Sequence, residues 1–155
     1  MIQIAEAKQT HIPEIIEIWK ELMDFHREID PFFTRNDDGH HSFEKYIKES
    51  INSKKSQVLV ALDGKKVVAY SLSNVAYYPP VFENTIYGLI SDIAVKKECQ
   101  RQGIGECLLD EIKKWFSQQG ITRIELQAAS GNKVACSFWK KQGFREYKYV
   151  MYLET

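Results

Sequence analysis

The sequence predicts a single α+β domain over residues 1–155, with helices flanking one mixed central β-sheet, and three observations lead to that class. The chain has 155 residues and 44% hydrophobic content, which suits one core. Two β-rich runs flank Asp63-Gly64, a pair suited to the positive φ angles of a tight hairpin turn. Farther along, residues 87–128 show the patterns of a strand, a helix and a strand, which make one βαβ crossover.

The first third of the chain predicts one strand and two helices. Residues 2–7 alternate like a short strand, and Thr10 is placed to cap a helix that runs to about His26. Asp30-Pro31 ends that helix, and a second amphipathic helix is expected over about residues 42–51. The apolar stripe of the first helix consists of Ile12, Ile15, Ile16, Trp19, Leu22 and Met23.

The remainder predicts a β-meander followed by the crossover. The strands of the meander are expected over residues 57–62, 66–74 and 87–95. A helix over about residues 103–119, stopped by Gly120, precedes a strand over residues 123–128. The last predicted elements are a helix over about residues 133–142, closed by Gly143, and a terminal strand over residues 146–153.

The composition argues against several classes of partner. The chain has 21 Lys plus Arg and 21 Asp plus Glu, so its overall charge does not favour nucleic acid. No stretch approaches the ~20 apolar residues that a membrane-spanning helix needs. The cysteines, Cys99, Cys107 and Cys136, form no CxxC pair. We therefore expect a cytoplasmic protein without a nucleic-acid or membrane partner and without a disulfide framework.

One segment is a candidate site for an anionic cofactor. Residues 100–105 read Gln-Arg-Gln-Gly-Ile-Gly at the start of the long predicted helix, where glycines leave backbone N–H groups accessible. The helix dipole and Arg101 both favour a diphosphate there. The segment is not a P-loop, because Glu106-Cys107 follow it, and Leu108 replaces the third glycine of the dinucleotide fingerprint. A plain helix start is the alternative interpretation.

Together with a second segment downstream, these residues resemble the GNAT acetyltransferase superfamily. Gln100, Gly103 and Gly105 match the family's Q/R-x-x-G-x-G/A signature. The resemblance is specific from about residue 87 to residue 144 and implies a GNAT-like fold that moves an acetyl group from acetyl-coenzyme A to an amine. The family's N-x-x-A-x-x-F-Y-x-K-x-G-F segment is matched by Asn132, Ala135, Phe138, Trp139, Lys141, Gly143 and Phe144.

The resemblance also implies which residues hold acetyl-coenzyme A. The backbone of residues 93–95 would pair with the pantetheine arm like an added strand, and the N–H groups of residues 101–106 would hold the pyrophosphate. Asn132 would hydrogen-bond the arm. The cofactor-binding set is Ile93, Ala94, Val95, Arg101, Gln102, Gly103, Ile104, Gly105, Glu106, Asn132, Phe138 and Lys141.

Direct acetyl transfer requires a base for the ammonium proton and provides a role for an acid at the leaving sulfur. Asp92, just before the pantetheine-binding run, is the candidate base, and a salt-bridged or capping carboxylate is the alternative. The family often places its acid at the Tyr of the F-Y pair, where this chain has Trp139, whose indole is not a proton donor at neutral pH. Tyr147 is the candidate acid, with Tyr149 or Cys136 as alternatives. Packing roles for all three, and catalysis without a dedicated acid, stay open.

The acceptor side is less defined by the sequence. His26, Glu28 and residues 30–33 are candidates for the lining of an acceptor pocket, and residues 77–82 for its cover. The cluster Asp37, Asp38, His40 and His41 hints at a metal, but no further ligand spacing supports one, and we expect none.

Three classes of function remain open at this point. The leading one is an N-acetyltransferase acting on a small-molecule amine or a protein N-terminus. The second is a catalytically inactive coenzyme A-binding sensor or interaction module, motivated by Trp139. The third is a nucleotide-dependent enzyme that uses the Gly-rich turn, with Glu125 at a ribose-like distance after it. The family's pairing through sheet edges or terminal strands favours a homodimer.

Overall fold

The fold is built on one five-stranded sheet whose strands are ordered β1-β2-β3-β4-β5. The computed structural model describes residues 1–155. Strands β1 to β4 pair antiparallel and β4 pairs parallel with β5, so the sheet is mixed and the predicted α+β class is confirmed. The strands are β1 (Ile2–Glu6), β2 (Ser56–Asp63), β3 (Lys66–Tyr77), β4 (Ile86–Val95) and β5 (Ile124–Leu126), and the helices are α1 (Ile12–Ile29), α2 (Gly39–Ile51), α3 (Ile104–Gln118) and α4 (Lys133–Lys141).

Both faces of the sheet are covered, which explains why β2 and β3 are apolar on consecutive residues. On one face, α1 and α2 pack with Trp19 stacked on Phe43 at 4.7 Å between ring centroids. On the other face, α3 buries Leu108, Ile112 and Phe116 against the sheet. The predicted stripe of α1 and the apolar side of α3 are therefore the surfaces that meet the two faces.

The β2–β3 hairpin shows how turn chemistry sets the register. Asp63 pairs with Lys66, so the two turn residues are Gly64 and Lys65 and Asp63 is still in the strand. Gly64 has φ +62°, a conformation that a side chain disfavours. The predicted hairpin is correct, with its turn one residue later than the Asp63-Gly64 pair.

Strand β4 contains a β-bulge immediately before Asp92. Leu72 of β3 pairs with Asp92 and the next residue, Ser73, pairs with Ile90, so Ser91 is an extra residue in β4. Such a bulge bends its strand and re-aims the side chains that follow. No glycine or proline marks this position, and the sequence did not predict it.

Two sequence expectations are wrong. The terminal strand expected over residues 146–153 is absent, because the segment makes no ladder with any strand of the sheet. Thr10 does not cap α1, since a 3₁₀ turn over Gln9–His11 precedes the helix and Pro13 occupies its first turn. None of the helices combines the length and the apolar character that crossing a bilayer requires.

Candidate active site

The site begins where β4 and β5 separate. Their parallel ladder has three pairs and stops at Ile90 and Leu126, whereas β4 continues in its ladder with β3 as far as Val95. The edge of β4 on the β5 side is therefore open beyond Ile90. Ile93, Ala94 and Val95, which were predicted to bind the pantetheine arm, lie in this open stretch.

The Gly-rich turn after β4 presents backbone donors. None of the N–H groups from Arg101 to Glu106 donates to a backbone carbonyl. Arg101 has φ +62° and Gly103, the residue before α3, has φ +77°, and such alternating turns form concave nests that bind anions. Gln100 fixes this turn to β4, because its Nε2 donates to the Val95 carbonyl at 3.1 Å. The arrangement fits the diphosphate of a coenzyme.

Helix α4 lies beside the start of α3. A Cβ at Gly105 would lie 3.5 Å from the Phe138 ring, an ordinary contact distance, so the start of α3 and the Phe138 ring of α4 are neighbours. Lys141 Nζ lies 3.7 Å from Glu106 Oε1, and Gln142 Nε2 donates to the same oxygen at 2.9 Å. The structure therefore brings the predicted Phe138 and Lys141 to the Gly-rich turn.

Asn132 lies at the other end of α4, where it caps the helix. Its Oδ1 accepts a hydrogen bond from the Ala135 N–H at 3.1 Å. The side-chain amide N–H₂ can still donate to a ligand, and the contact of Asn132 to the pantetheine arm stays a prediction. The predicted cofactor residues thus follow the open edge of β4, the Gly-rich turn and α4.

Asp92 is held by a residue that the sequence did not single out. The Tyr70 hydroxyl, completely buried on β3, donates to Asp92 Oδ2 at 2.9 Å. Burial raises the pKa of Asp92 above its usual value, although the Tyr70 hydrogen bond and the nearby His26 act in the opposite direction. Burial, together with Asp92, also raises the pKa of Tyr70, which keeps the phenol protonated as a donor. A tyrosine in a buried strand whose hydroxyl needs a partner is the signal that could have suggested this pair.

The end of α1 lies against the loop that precedes α4. A Cβ at Gly131 would lie 3.0 Å from Ile29 Cγ2, so the end of α1 touches the loop that precedes α4. His26, a predicted acceptor-site residue, lies one turn earlier and close enough for its charge to influence Asp92. Asp30 accepts the Phe32 N–H at 3.0 Å and holds an exposed 3₁₀ turn over Pro31–Phe33 beside it.

The aromatic candidates have other contacts. Trp139 packs between Phe138 and Phe144, with ring centroids at 4.9 and 5.2 Å, which is a packing role. Tyr147 is 74% exposed, and the guanidinium of Arg123, the residue just before β5, lies 5.1 Å from the centroid of the Tyr147 ring. The part of Tyr147 as an acid stays a prediction.

A second hydrogen-bonded group joins the β3–β4 loop to β5. The Tyr78 hydroxyl lies 2.5 and 2.6 Å from the two carboxylate oxygens of Glu125, and this hydrogen bond raises the pKa of Tyr78 to about 12. Arg123 Nε lies 2.8 Å from the same carboxylate. Glu125, which motivated the nucleotide alternative, is therefore held by two partners of its own chain. No group of three or more His, Cys, Asp or Glu side chains is arranged to hold a metal ion.

Comparison with known proteins identifies the architecture. The sequence model described as "Acetyltransferase (GNAT) family" matches residues 15–144. The chain belongs to the GNAT acetyltransferase family. Its relation to a curated member is partial, because it is 34% identical to streptothricin acetyltransferase A of Bacillus subtilis (strain 168) over 58 residues, which are 37% of this chain and 34% of that protein.

Two solved GNAT structures share the fold over nearly their whole length. A predicted acetyltransferase from Clostridium acetobutylicum, solved with acetyl-coenzyme A, has a TM-score of 0.79 at 20% identity, covering 99% of this chain and 96% of that one. An aminoglycoside 6'-N-acetyltransferase from Acinetobacter haemolyticus has a TM-score of 0.77 at 18% identity, covering 99% and 97%. The resemblance to GNAT proteins inferred from the two sequence segments is confirmed.

Proposed function

We propose that residues 1–155 form one N-acetyltransferase domain that moves the acetyl group of acetyl-coenzyme A directly onto a primary amine. The observation that carries this proposal is the continuity between the open edge of β4 and the turn of unbonded N–H groups from Arg101 to Glu106. An extended arm that ends in a diphosphate is the ligand shape that these two features fit. Membership of the GNAT family and a fold neighbour solved with acetyl-coenzyme A support that choice.

The residues of this chain have separate parts in the proposed reaction. Acetyl-coenzyme A supplies the activated acetyl thioester when bound. Residues 93–95 hold the arm through their backbone, and the backbone N–H of Ile93, which faces the open edge of β4, stabilises the developing oxyanion. Asp92 accepts the amine proton, and its raised pKa brings it closer to the pKa of that amine. Tyr70 keeps the Asp92 carboxylate in one orientation through its hydrogen bond.

We further propose a cationic small-molecule amine as the acceptor. The carboxyl end of α1, which carries the negative end of a helix dipole, lies beside the loop that precedes α4. Asp92, Glu28 and Asp30 add carboxylates at this end, and the exposed Phe32 and Phe33 add aromatic faces for a cation. Streptothricin and aminoglycoside acetyltransferases among the similar proteins support this class of acceptor.

Three free cysteines suit the reducing cytoplasm that we propose for the protein.

The test of cofactor binding is isothermal titration with acetyl-coenzyme A, with NAD and ATP as parallel ligands. Gly105→Asp is expected to weaken acetyl-coenzyme A binding by about 100-fold or more, because a buried like-charge contact costs several kcal/mol. The fold should be unchanged, since the new Cβ would be in ordinary contact with Phe138 and an acid in the first turn of a helix is favourable.

Ser117→Asp is the matched control, because it adds the same charge to the exposed far end of α3. It should bind acetyl-coenzyme A like the unmodified protein. Equal affinity of folded Gly105→Asp and Ser117→Asp would rule out the Gly-rich turn as the diphosphate site. Thiol release measured with aminoglycosides, streptothricin, polyamines and peptides then tests turnover, and binding without release on any amine would favour the non-catalytic module.

A further inference from the structure

Strand β4 presents two consecutive side chains on the same face of the sheet. The Ser91 hydroxyl contacts the Asn74 amide, and the Asp92 carboxylate contacts the Tyr70 hydroxyl. Asn74 and Tyr70 are four residues apart on β3, so they point to one face, and Tyr70 packs in the core that includes α1. Consecutive residues of a regular strand point to opposite faces. The bulge therefore brings Ser91 and Asp92 together to the face that carries α1.

The Asn74 amide determines how the Ser91 hydroxyl can bond. Ser56 Oγ lies 2.7 Å from Asn74 Oδ1, a distance typical of a hydroxyl donor, and Asn74 Nδ2 lies 3.0 Å from Ser91 Oγ, a distance typical of an N–H donor. An amide nitrogen donates and does not accept, so Ser91 Oγ is the acceptor in the second bond. A serine hydroxyl has one proton, which Ser91 therefore keeps for a different partner.

Ser91 is also accessible to a ligand. The hydrogen-bonded row begins at Ser56 and Asn74, which are half-buried, and ends at Ser91, which is exposed. Consecutive Cα atoms are about 3.8 Å apart, so the atoms bonded near an amine at Asp92 lie next to Ser91. A hydroxyl proton is thus presented beside the proposed base.

We propose that Ser91 recognises the acceptor molecule by donating its proton to an oxygen atom that lies a few bonds from the reacting amine. Asn74 is a positioning residue in this recognition, because its N–H occupies one lone pair of Ser91 Oγ and leaves the hydroxyl proton for the acceptor. The inference rests on the proposed function, since it describes the acceptor of the same acetyl transfer. It narrows the acceptor class to cationic amines with a nearby hydroxyl or ether oxygen.

Two diamines that differ at one position test this recognition. Bis(2-aminoethyl) ether has an oxygen where cadaverine has a methylene. Thiol release from acetyl-coenzyme A gives kcat/KM for each diamine, and the ratio of the two values measures the preference for the oxygen. Ser91→Ala should lower this ratio by about 3- to 10-fold, the effect of one neutral hydrogen bond, and leave the affinity for acetyl-coenzyme A unchanged. Ser117→Ala, the same change at the exposed far end of α3, should not alter the ratio.

Asn74→Asp distinguishes recognition from a merely structural role. The side chain keeps its shape, but an ionised carboxylate only accepts, so it would take the Ser91 proton away from the acceptor molecule. The ratio should therefore fall as far as in Ser91→Ala, although Ser91 is still present. Ser91→Thr retains the hydroxyl and should retain the ratio. A change in charge or in the base acts on both diamines alike and cancels in the ratio.

The outcomes separate this inference from the proposed function. Thiol release with a ratio that Ser91→Ala and Asn74→Asp both leave unchanged would overturn the role of Ser91 while the proposed function stands. Turnover confined to amines without an oxygen near the nitrogen would overturn it as well. Acetyl-coenzyme A binding without thiol release on any amine would refute the proposed function, and this inference with it.

Discussion

Replacing Asp92 with Asn should make the protein more stable at neutral pH and less active. Burial raises the pKa of the Asp92 carboxyl above its ordinary value of 3.8, so the folded state binds this proton more tightly than the unfolded chain does. The contribution of Asp92 to stability is therefore complete below pH 3.8 and is lost as the pH rises through the folded pKa. Within that window the free energy of unfolding falls by up to about 1.4 kcal/mol per pH unit.

Asp92→Asn removes this pH dependence without removing the acceptor of the Tyr70 hydrogen bond, since the amide oxygen can take its place. The stability gain over the unmodified protein should grow with pH and then level off, at about 1.4 kcal/mol for each unit by which the folded pKa is raised. For a chain of this size, 1 kcal/mol corresponds to roughly 2–4 °C in Tm.

Urea unfolding between about pH 4 and pH 8 measures the difference directly. Asp110→Asn is the matched control, because Asp110 is exposed on α3 and its removal should leave the pH dependence unchanged. The reasoning is refuted if Asp92→Asn and the unmodified protein show parallel curves of stability against pH. In the same variant, turnover should fall most at low pH and recover in part as the amine deprotonates on its own.

Two further substitutions test the neighbouring structure. Tyr70→Phe removes the hydrogen bond that stabilises the charged Asp92, so the acid limb of the pH–rate profile should move to higher pH. The same change should cost about 1–3 kcal/mol of stability; an unmoved limb in a folded variant would remove Tyr70 from the positioning of Asp92. Gly88→Ala places a Cβ 2.7 Å from the completely buried Phe116 ring and should cost about 1–3 kcal/mol in urea unfolding. Gly105→Ala, with its nearest contact at 3.5 Å, is the comparison, and an equal loss at both positions would contradict the steric argument.

The sequence could predict the features whose chemistry is local. The Gly-rich turn is recognisable because Gly103 needs a positive φ and because a helix start exposes its N–H groups wherever it occurs. The β2–β3 hairpin is similar, since a glycine such as Gly64 in a two-residue turn limits the turn to the few types that need a positive φ, although the turn is Gly64-Lys65 and not the predicted Asp63-Gly64. Both predictions required no knowledge of distant residues.

The contacts that depend on register could not be predicted in this way. Tyr70 and Asp92 are 22 residues apart and meet only because β3 and β4 pair with one extra residue at Ser91. In the sequence, Tyr70 is one apolar residue in a buried strand, and its hydroxyl has no marked partner. The prediction of a terminal strand over residues 146–153 is wrong for a related reason. A strand pattern indicates only a preference for extended backbone, and a strand forms only where another strand pairs with it.

The short β5 explains why the proposed cofactor-binding edge and the proposed base lie next to each other. Its ladder with β4 ends at Ile90, immediately before the bulge at Ser91, so β4 loses one neighbour and changes direction at the same point. The lost neighbour leaves a backbone edge for an extended arm, and the bulge precedes Asp92, which bonds to Tyr70 on the side of α1. A β5 that continued beyond Leu126 in the same register would pair with residues 91–95 and occupy that edge. The three-residue length of β5 is therefore a requirement of the proposed site, as much as the glycines of the turn are.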